Sequence, residues 1–208
     1  MRIAMIGKGR VGSALAPALR AAGHAVTYGT RNPADPSHNN DDGIPVMTVR
    51  EAAQSAEIVV LAVNWGDVDQ VLADCGDLDG RILIDCTNPL TFGAEGISLA
   101  LGFDRSGGEI VASKTRARVV KTLNHVGSPV MATAKSYRQR PIQFVAADDE
   151  DARRIAASLV RDIGFEPVEY GGLENARKLE PLAMIWIDQA YKHGMNLTNA
   201  LAFIGPES

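Results

Sequence analysis

Cysteine is scarce. The chain's 208 residues include two, Cys75 and Cys86. Two cysteines cannot build a disulfide scaffold, and they do not stand at zinc-ligand spacing. Reduced thiols in a cytoplasm are the expectation. No apolar run approaches the roughly 18 to 20 residues that a membrane-spanning helix needs. The opening MRIAMIGKGR has no apolar leader core and no small-residue cleavage site, so no membrane partner is expected. Positive charge is also short. Lys and Arg number 21 against 25 Asp and Glu, a net charge of −4, which speaks against a general nucleic-acid binder. No His or Cys cluster has metal-ligand spacing. The acidic run Asp148-Asp149-Glu150-Asp151 lacks the alternating spacing of a calcium loop and reads as a solvated helix start. No metal site is expected.

One deficit is local. Residues 1–32 hold five basic side chains (Arg2, Lys8, Arg10, Arg20, Arg31) and no Asp or Glu, which leaves −9 for the remainder. A basic N-terminal unit on an acidic chain suits a small polyanionic ligand, or is chance in a short window.

What is present is alternation. Short apolar runs read as strands over Arg2–Ile6, Ala25–Gly29, Pro45–Met47, Ile58–Val63, Arg81–Asp85, Arg118–Thr122 and Ile142–Ala147. Helical patterns fall at Val11–Ala22, Val49–Ala53, Val68–Ala73 and Asp148–Ile163, the last with an acidic first turn that suits the helix dipole. Strands made of continuous Val, Ile and Leu are buried on both faces, as in parallel sheets. The expected fold is therefore α/β, a Rossmann-type doubly wound, mostly parallel sheet with right-handed crossovers. Thr91–Gly108, with five glycines, is the least regular stretch, either a flap beside a ligand or a surface connection. From Glu174 to about Lys192 one long helix is expected, with Pro181 early in it. The 37 residues after Gly171 are too few for an independent substrate domain. Residues 1–170 are thus read as the sheet domain and 171–208 as a short C-terminal helical extension.

Gly7-Lys8-Gly9-Arg10-Val11-Gly12 is a G-x-G-x-x-G run that follows a strand and opens a helix, the context that makes it a dinucleotide fingerprint. Gly7 permits the tight turn, Gly9 lets backbone approach a pyrophosphate, and Gly12 lets helix and strand pack closely. The helix N-terminus then offers free N–H groups to the phosphates. The end of the second strand reads Gly29-Thr30-Arg31-Asn32-Pro33, with no carboxylate before Asp35. An NAD site places Asp or Glu there. Arg31 instead offers a planar fork to a 2′-phosphate, and Thr30 and Asn32 add hydrogen-bond donors. Lys8 and Arg10 add positive charge. The cofactor expected is NADP(H).

Ligands of doubly wound sheets sit beyond the carboxyl ends of strands. Three further ends are informative. At Asn64-Trp65, the tryptophan either shelters part of the dinucleotide or packs. At Asn88-Pro89, the amide either bonds ribose or carboxamide, or makes a turn. Asn124 and His125 are expected to face the same cleft. Cys86 and His125 could form a thiolate–base pair, but no third orienting group is evident and a free cysteine usually packs.

With these residues in view, the chain resembles the coenzyme F420-dependent NADP oxidoreductases, and also the reductase domain of membrane ferric reductases. The likeness runs through IGKGRVGSALAPAL, YGTRNP, LAVNWGDVDQVL, ILIDCTNPL, VVKTLNHVG and the C-terminal VAADDEDARRIAASLVRDIGFEPVEYGGLENARKLEPLAMIWI. The resemblance implies hydride transfer between NADPH and a deazaflavin, coenzyme F420, stacked on the nicotinamide. It places the phosphate loop on Gly7, Lys8, Gly9, Arg10, Val11 and Gly12, and the 2′-phosphate site on Thr30, Arg31 and Asn32. It places the nicotinamide side on Val63, Asn64, Trp65, Asn88, Pro89, Asn124 and His125. It implies a homodimer paired through the C-terminal helices, with the acceptor site and dimer contact in residues 171–208. No obligatory acid–base residue is expected, because the cofactors carry the chemistry and the protein orients them. The competing readings are an NADPH-linked flavin or ferric reductase, a small-substrate imine or hydroxyacid reductase that would use Lys178, and a non-catalytic NADP-binding redox sensor.

Overall fold

Each early apolar run becomes a strand because helices cover it on both sides. A computed structural model describes residues 1–35, 42–94 and 96–205. In chain order the elements are β1 (Arg2–Ile6), α1 (Arg10–Ala21), β2 (Ala25–Thr30), β3 (Val46–Thr48), α2 (Val49–Ser55), β4 (Ile58–Leu61), α3 (Val68–Cys75), β5 (Ile82–Asp85), β6 (Leu90–Gly93), β7 (Gly96–Leu99), α4 (Gly107–Ala112), β8 (Arg118–Lys121), α5 (Ser128–Thr133), β9 (Ile142–Val145), α6 (Glu150–Asp162), β10 (Glu166–Glu169) and α7 (Ala176–Tyr191).

Six strands form one parallel sheet in the order β3-β2-β1-β4-β5-β8. Alternate residues feed two cores, as the pleat requires. Ile3, Met5, Tyr28, Ile58, Val60 and Ile84 pack with Leu15 and Leu19 of α1 and Val160 of α6. Ala4, Ile6, Val59, Leu61 and Leu83 pack with Ala52 of α2, Leu72 of α3 and Val111 of α4. This is the doubly wound Rossmann-type fold expected from the alternation.

The register decides where a ligand can sit. Ile6 stands opposite Gly29 and Leu61, Leu61 opposite Asp85, and Asp85 opposite Lys121. The carboxyl ends of five strands are therefore level, and the turns that follow them share one rim.

Five elements were hidden in the sequence. Thr91–Gly108 is not irregular throughout. Leu90–Gly93 and Gly96–Leu99 pair as an antiparallel hairpin, and α4 begins at Gly107 behind a Ser106–Glu109 capping box. α5 opens with Pro129 in its first turn. β10 pairs in parallel with β9, and an antiparallel bridge from Lys121 to Ala146 ties that pair to β8. The long C-terminal helix starts later than expected, at Ala176, after a tight turn over Leu173–Asn175. The tail folds back onto the domain. Trp186 Nε1 donates to the Asn199 carbonyl at 2.8 Å, and Ile142 N donates to the Leu201 carbonyl at 2.8 Å.

Candidate functional site

The glycines of the fingerprint divide into two kinds. Gly7 has φ +102°, and a Cβ there would lie 2.3 Å from the Ala62 carbonyl oxygen. A Cβ on Gly12 would lie 2.0 Å from the Gly7 carbonyl oxygen. Both positions are glycine because the turn itself admits nothing else. Gly9 is different. Its φ of −77° suits any residue, and no atom of the described residues lies within 4 Å of a Cβ built on it. The protein's own packing does not demand that glycine, and the space it leaves open belongs to a cleft.

The cleft is about 690 Å³ and is lined by Gly7 to Val11, Thr30 to Asn32, Ala62 to Asn64, Asp67, Val71 and Cys86, among others. Gly9 is the N-cap of α1 and gives no side-chain cap, and the first turn carries no acidic residue. The N–H groups of that turn are thus offered to the cleft with the positive end of the helix dipole behind them. Thr30 is buried, and its Oγ1 has no hydrogen-bond partner among the described residues. A buried hydroxyl left without a partner is costly, so this one is suited to a ligand oxygen. Arg31 is about two-thirds exposed and reaches Asp67 Oδ1 at 3.4 Å. Lys8 stands over the Tyr28 ring, its ammonium 5.1 Å from the centroid. These features fit a phosphorylated dinucleotide. An open glycine faces the phosphate turn, an orphaned hydroxyl and a guanidinium flank the second strand's end, and no carboxylate replaces Thr30 there.

Other expected residues are not brought to this cleft. Trp65 is partly buried and packs against Gly107, where an added Cβ would meet its ring at 3.0 Å. Asn88 and Asn124 spend their amides on each other. Asn88 Nδ2 donates to the Asn124 carbonyl at 2.7 Å, and Asn124 Nδ2 donates to Asn88 Oδ1 at 2.9 Å and to the Leu179 carbonyl at 3.1 Å. Pro89 is buried beside them. His125 does not face the cleft. It is 1% exposed, its ring tilts against Phe144 at 5.6 Å, and burial pulls its pKa down to about 4. The cause is position. Leu123 takes φ +57°, and the chain turns at that point, carrying the next side chains under α7 and β9. Cys86 lines the inner end of the cleft, but burial, with Asp85 beside it, pushes its thiol far above the usual range. No thiolate is available there, so the Cys86–His125 nucleophile reading is set aside. Lys178 lies at the surface, donating to Asn175 Oδ1 at 2.9 Å and standing over Tyr170, outside the cleft lining.

Two features escaped the sequence reading. Asp67 reaches Arg31 from a turn 36 residues away, which no local pattern signals. Lys121, Asp85 and Glu180 meet in the interior. The only trace of this meeting in the sequence is that two strands of apolar residues each end on a charge.

The resemblance read from the sequence is borne out. Residues 2–89 match the family described as NADP oxidoreductase, coenzyme F420-dependent. The chain is 29% identical to the F420-dependent NADP reductase of Methanothermobacter thermautotrophicus, over 96% of this chain and 95% of that protein. A solved structure from Arthrobacter sp. FB24, described as a candidate F420-dependent NADP reductase, superposes with a TM-score of 0.82. It is 29% identical, over 93% of this chain and 95% of that one. The metalloreductase STEAP3 of Rattus norvegicus is 26% identical over 88% of this chain, which spans 36% of that longer protein.

Proposed function

We propose that this NADP-dependent oxidoreductase moves a hydride between NADP(H) and a second planar cofactor, the deazaflavin coenzyme F420. The observation that carries the reading is the cleft at the level strand ends. Its phosphate turn holds a glycine that packing does not require, and the end of β2 presents Thr30 and Arg31 in place of a carboxylate. The likeness to an F420-dependent NADP reductase along nearly the whole of both chains supports the choice of acceptor.

Residues 7–12 hold the pyrophosphate through backbone N–H groups. Thr30 Oγ1 and the Arg31 guanidinium hold the 2′-phosphate, with Asn32 beside them, and Arg31 leaves Asp67 to do so. Val63, Asn64 and Cys86 wall the inner end, where the nicotinamide lies. Residues 1–170 carry NADP, and residues 171–208 complete the acceptor end. When bound, NADPH supplies the hydride and the deazaflavin receives it, a proton from solvent completing the balance. The chain's part is to orient two rings at near-contact distance and exclude misaligned approach, an effect that alone lowers barriers by several kcal/mol. His125 is buried outside the cleft lining, and burial with Asp85 beside it keeps the Cys86 thiol protonated, so the reading gives neither an acid–base part. Ile185 and Tyr191 are exposed on α7, a surface on which two copies would pair.

The test is to follow NADPH oxidation by purified protein with coenzyme F420, FMN, a ferric chelate or buffer alone. Saturable oxidation with F420 supports the proposal. Oxidation confined to FMN or ferric chelate moves the acceptor to the second reading, which the metalloreductase likeness favours. Silence with every acceptor, while NADPH still binds, overturns both.

A further inference from the structure

Among the described residues, the most heavily buried charges are not in the cleft. Lys121 ends β8, and its ammonium lies 2.9 Å from Asp85 Oδ2 and 2.9 Å from Glu180 Oε1, while donating to the Thr87 carbonyl at 2.6 Å. None of the three charged side chains is more than 3% exposed. Burial opposes the charge on Lys121, but Asp85 and Glu180 outweigh it and hold the ammonium pKa above its usual value. The carboxylates are also satisfied. Asp85 Oδ1 accepts from Thr87 N at 2.9 Å and Thr87 Oγ1 at 2.7 Å. Glu180 accepts from the backbone N–H groups of Gly107 at 2.9 Å and Gly108 at 3.1 Å.

Such a cluster is a poor source of stability, because desolvation cancels most of the attraction and well-packed apolar residues often do as well. What it does supply is directional fastening. Two of the segments it holds run into the cleft lining. Asp85 and Thr87 flank Cys86, which lines the cleft. Glu180 grips Gly107, and an added Cβ on Gly107 would touch both Glu180 Oε1 and the Trp65 ring at 3.0 Å. Trp65 continues directly from Val63 and Asn64 of the cleft wall. Next to Glu180, the Leu179 carbonyl holds Asn124, which holds Asn88. The phosphate turn and the end of β2 are fastened by different contacts, Gly7 N to the Gly29 carbonyl and Arg31 to Asp67.

We propose that the Lys121–Asp85–Glu180 triad is a positioning device for hydride transfer: through it α7 sets the segments that carry Asn64 and Cys86, two residues of the wall at the nicotinamide end. The proposal rests on the NADP reading above, and it assigns the triad no direct contact with a reacting atom.

The test compares wild type with Glu180→Gln and with the double variant Lys121→Met/Glu180→Gln. The double variant removes one charge of each sign and leaves the net charge of the cluster unchanged. Three quantities are read on protein that retains a cooperative thermal transition. They are the affinity for adenosine 2′,5′-bisphosphate, the fluorescence emission of bound NADPH, and kcat with the acceptor that wild type uses. The expected result is bisphosphate affinity within about twofold of wild type, an altered NADPH emission, and kcat lowered by about tenfold to a hundredfold, the scale of a small misplacement at a reacting centre. Wild-type emission and kcat in a folded variant would overturn the proposal and leave the triad a structural fastener. Bisphosphate affinity falling in parallel with kcat would also overturn it, since the effect would not be confined to the inner end. If wild type turns over no acceptor, the functional reading fails. The emission of bound NADPH then still decides whether the triad shapes that end.

Discussion

Arg31 carries the choice between the two nicotinamide dinucleotides. Its type and place at the end of the second strand were legible in the sequence, because only a carboxylate or a cation is useful there. Its partner was not, since Asp67 arrives from another strand's turn. Arg31→Glu should weaken NADPH binding by about 3 kcal/mol or more through lost pairing and new repulsion, and NADH binding much less. Calorimetric titration with both dinucleotides checks this, and equal losses would remove the 2′-phosphate assignment. Asp67→Asn should tighten NADPH up to about fivefold, because an exposed ion pair is worth about 0–1 kcal/mol and must be broken on binding. The glycines make a second pair. Gly12→Ala should fail to fold the turn, since its Cβ would sit 2.0 Å from a carbonyl oxygen. Gly9→Ala should keep the thermal midpoint within a few degrees yet weaken NADPH at least tenfold. A Gly9→Ala protein that binds normally would mean that no phosphate approaches there. His125 falls outside the cleft lining at this scale, because its position makes it core whatever chemistry its residue type suggests.

At the scale of elements, legibility followed burial. β1, β4 and β5 could be read because nearly continuous apolar residues leave few alternatives for a short run. The β6–β7 hairpin could not, because it is glycine-rich and largely exposed, with Phe92 78% exposed at its surface. β10 hides behind the sequence Glu-Pro-Val-Glu, a polar run with a proline that cannot donate to a ladder. The acidic run before α6 resolves into separate tasks. Asp149 caps the helix by accepting from Ala152 N at 2.7 Å, and Asp148 accepts from Leu173 N at 2.8 Å, tying the C-terminal segment to the sheet. Asp149→Ala should cost about 1 kcal/mol in chemical denaturation, the usual value of an N-cap. No change would show that the cap is solvated in solution.

The molecule as a whole should be acid-sensitive in a defined window. His125 ordinarily titrates near 6.5, and burial lowers its folded pKa to about 4. A depressed folded pKa contributes stability that is full above the unfolded value and is lost as pH falls from about 6.5 toward about 4, at a cost on the order of 3 kcal/mol. Glu109 adds to this lower down. The Arg177 guanidinium beside it holds its carboxyl pKa at about 2, so its contribution fades as pH falls below 4.5. Unfolding free energy should therefore decline in wild type as pH is lowered from 7 to 4, and less steeply in His125→Phe. Parallel declines would place the acid sensitivity elsewhere.

The architecture is what the alternation of strand and helix announced. The way residues 171–205 wrap back onto the sheet, through Glu180, Trp186 and Leu201, was not legible, because those contacts join positions distant in the chain. The central claim is that one chain aligns two cofactors for direct hydride transfer. NADPH deuterated at its transferable position tests it most directly, with purified protein and coenzyme F420 in ordinary water. The account predicts that the label appears in the reduced deazaflavin. Label lost to solvent, or a deazaflavin left oxidised while NADPH is bound, would contradict it.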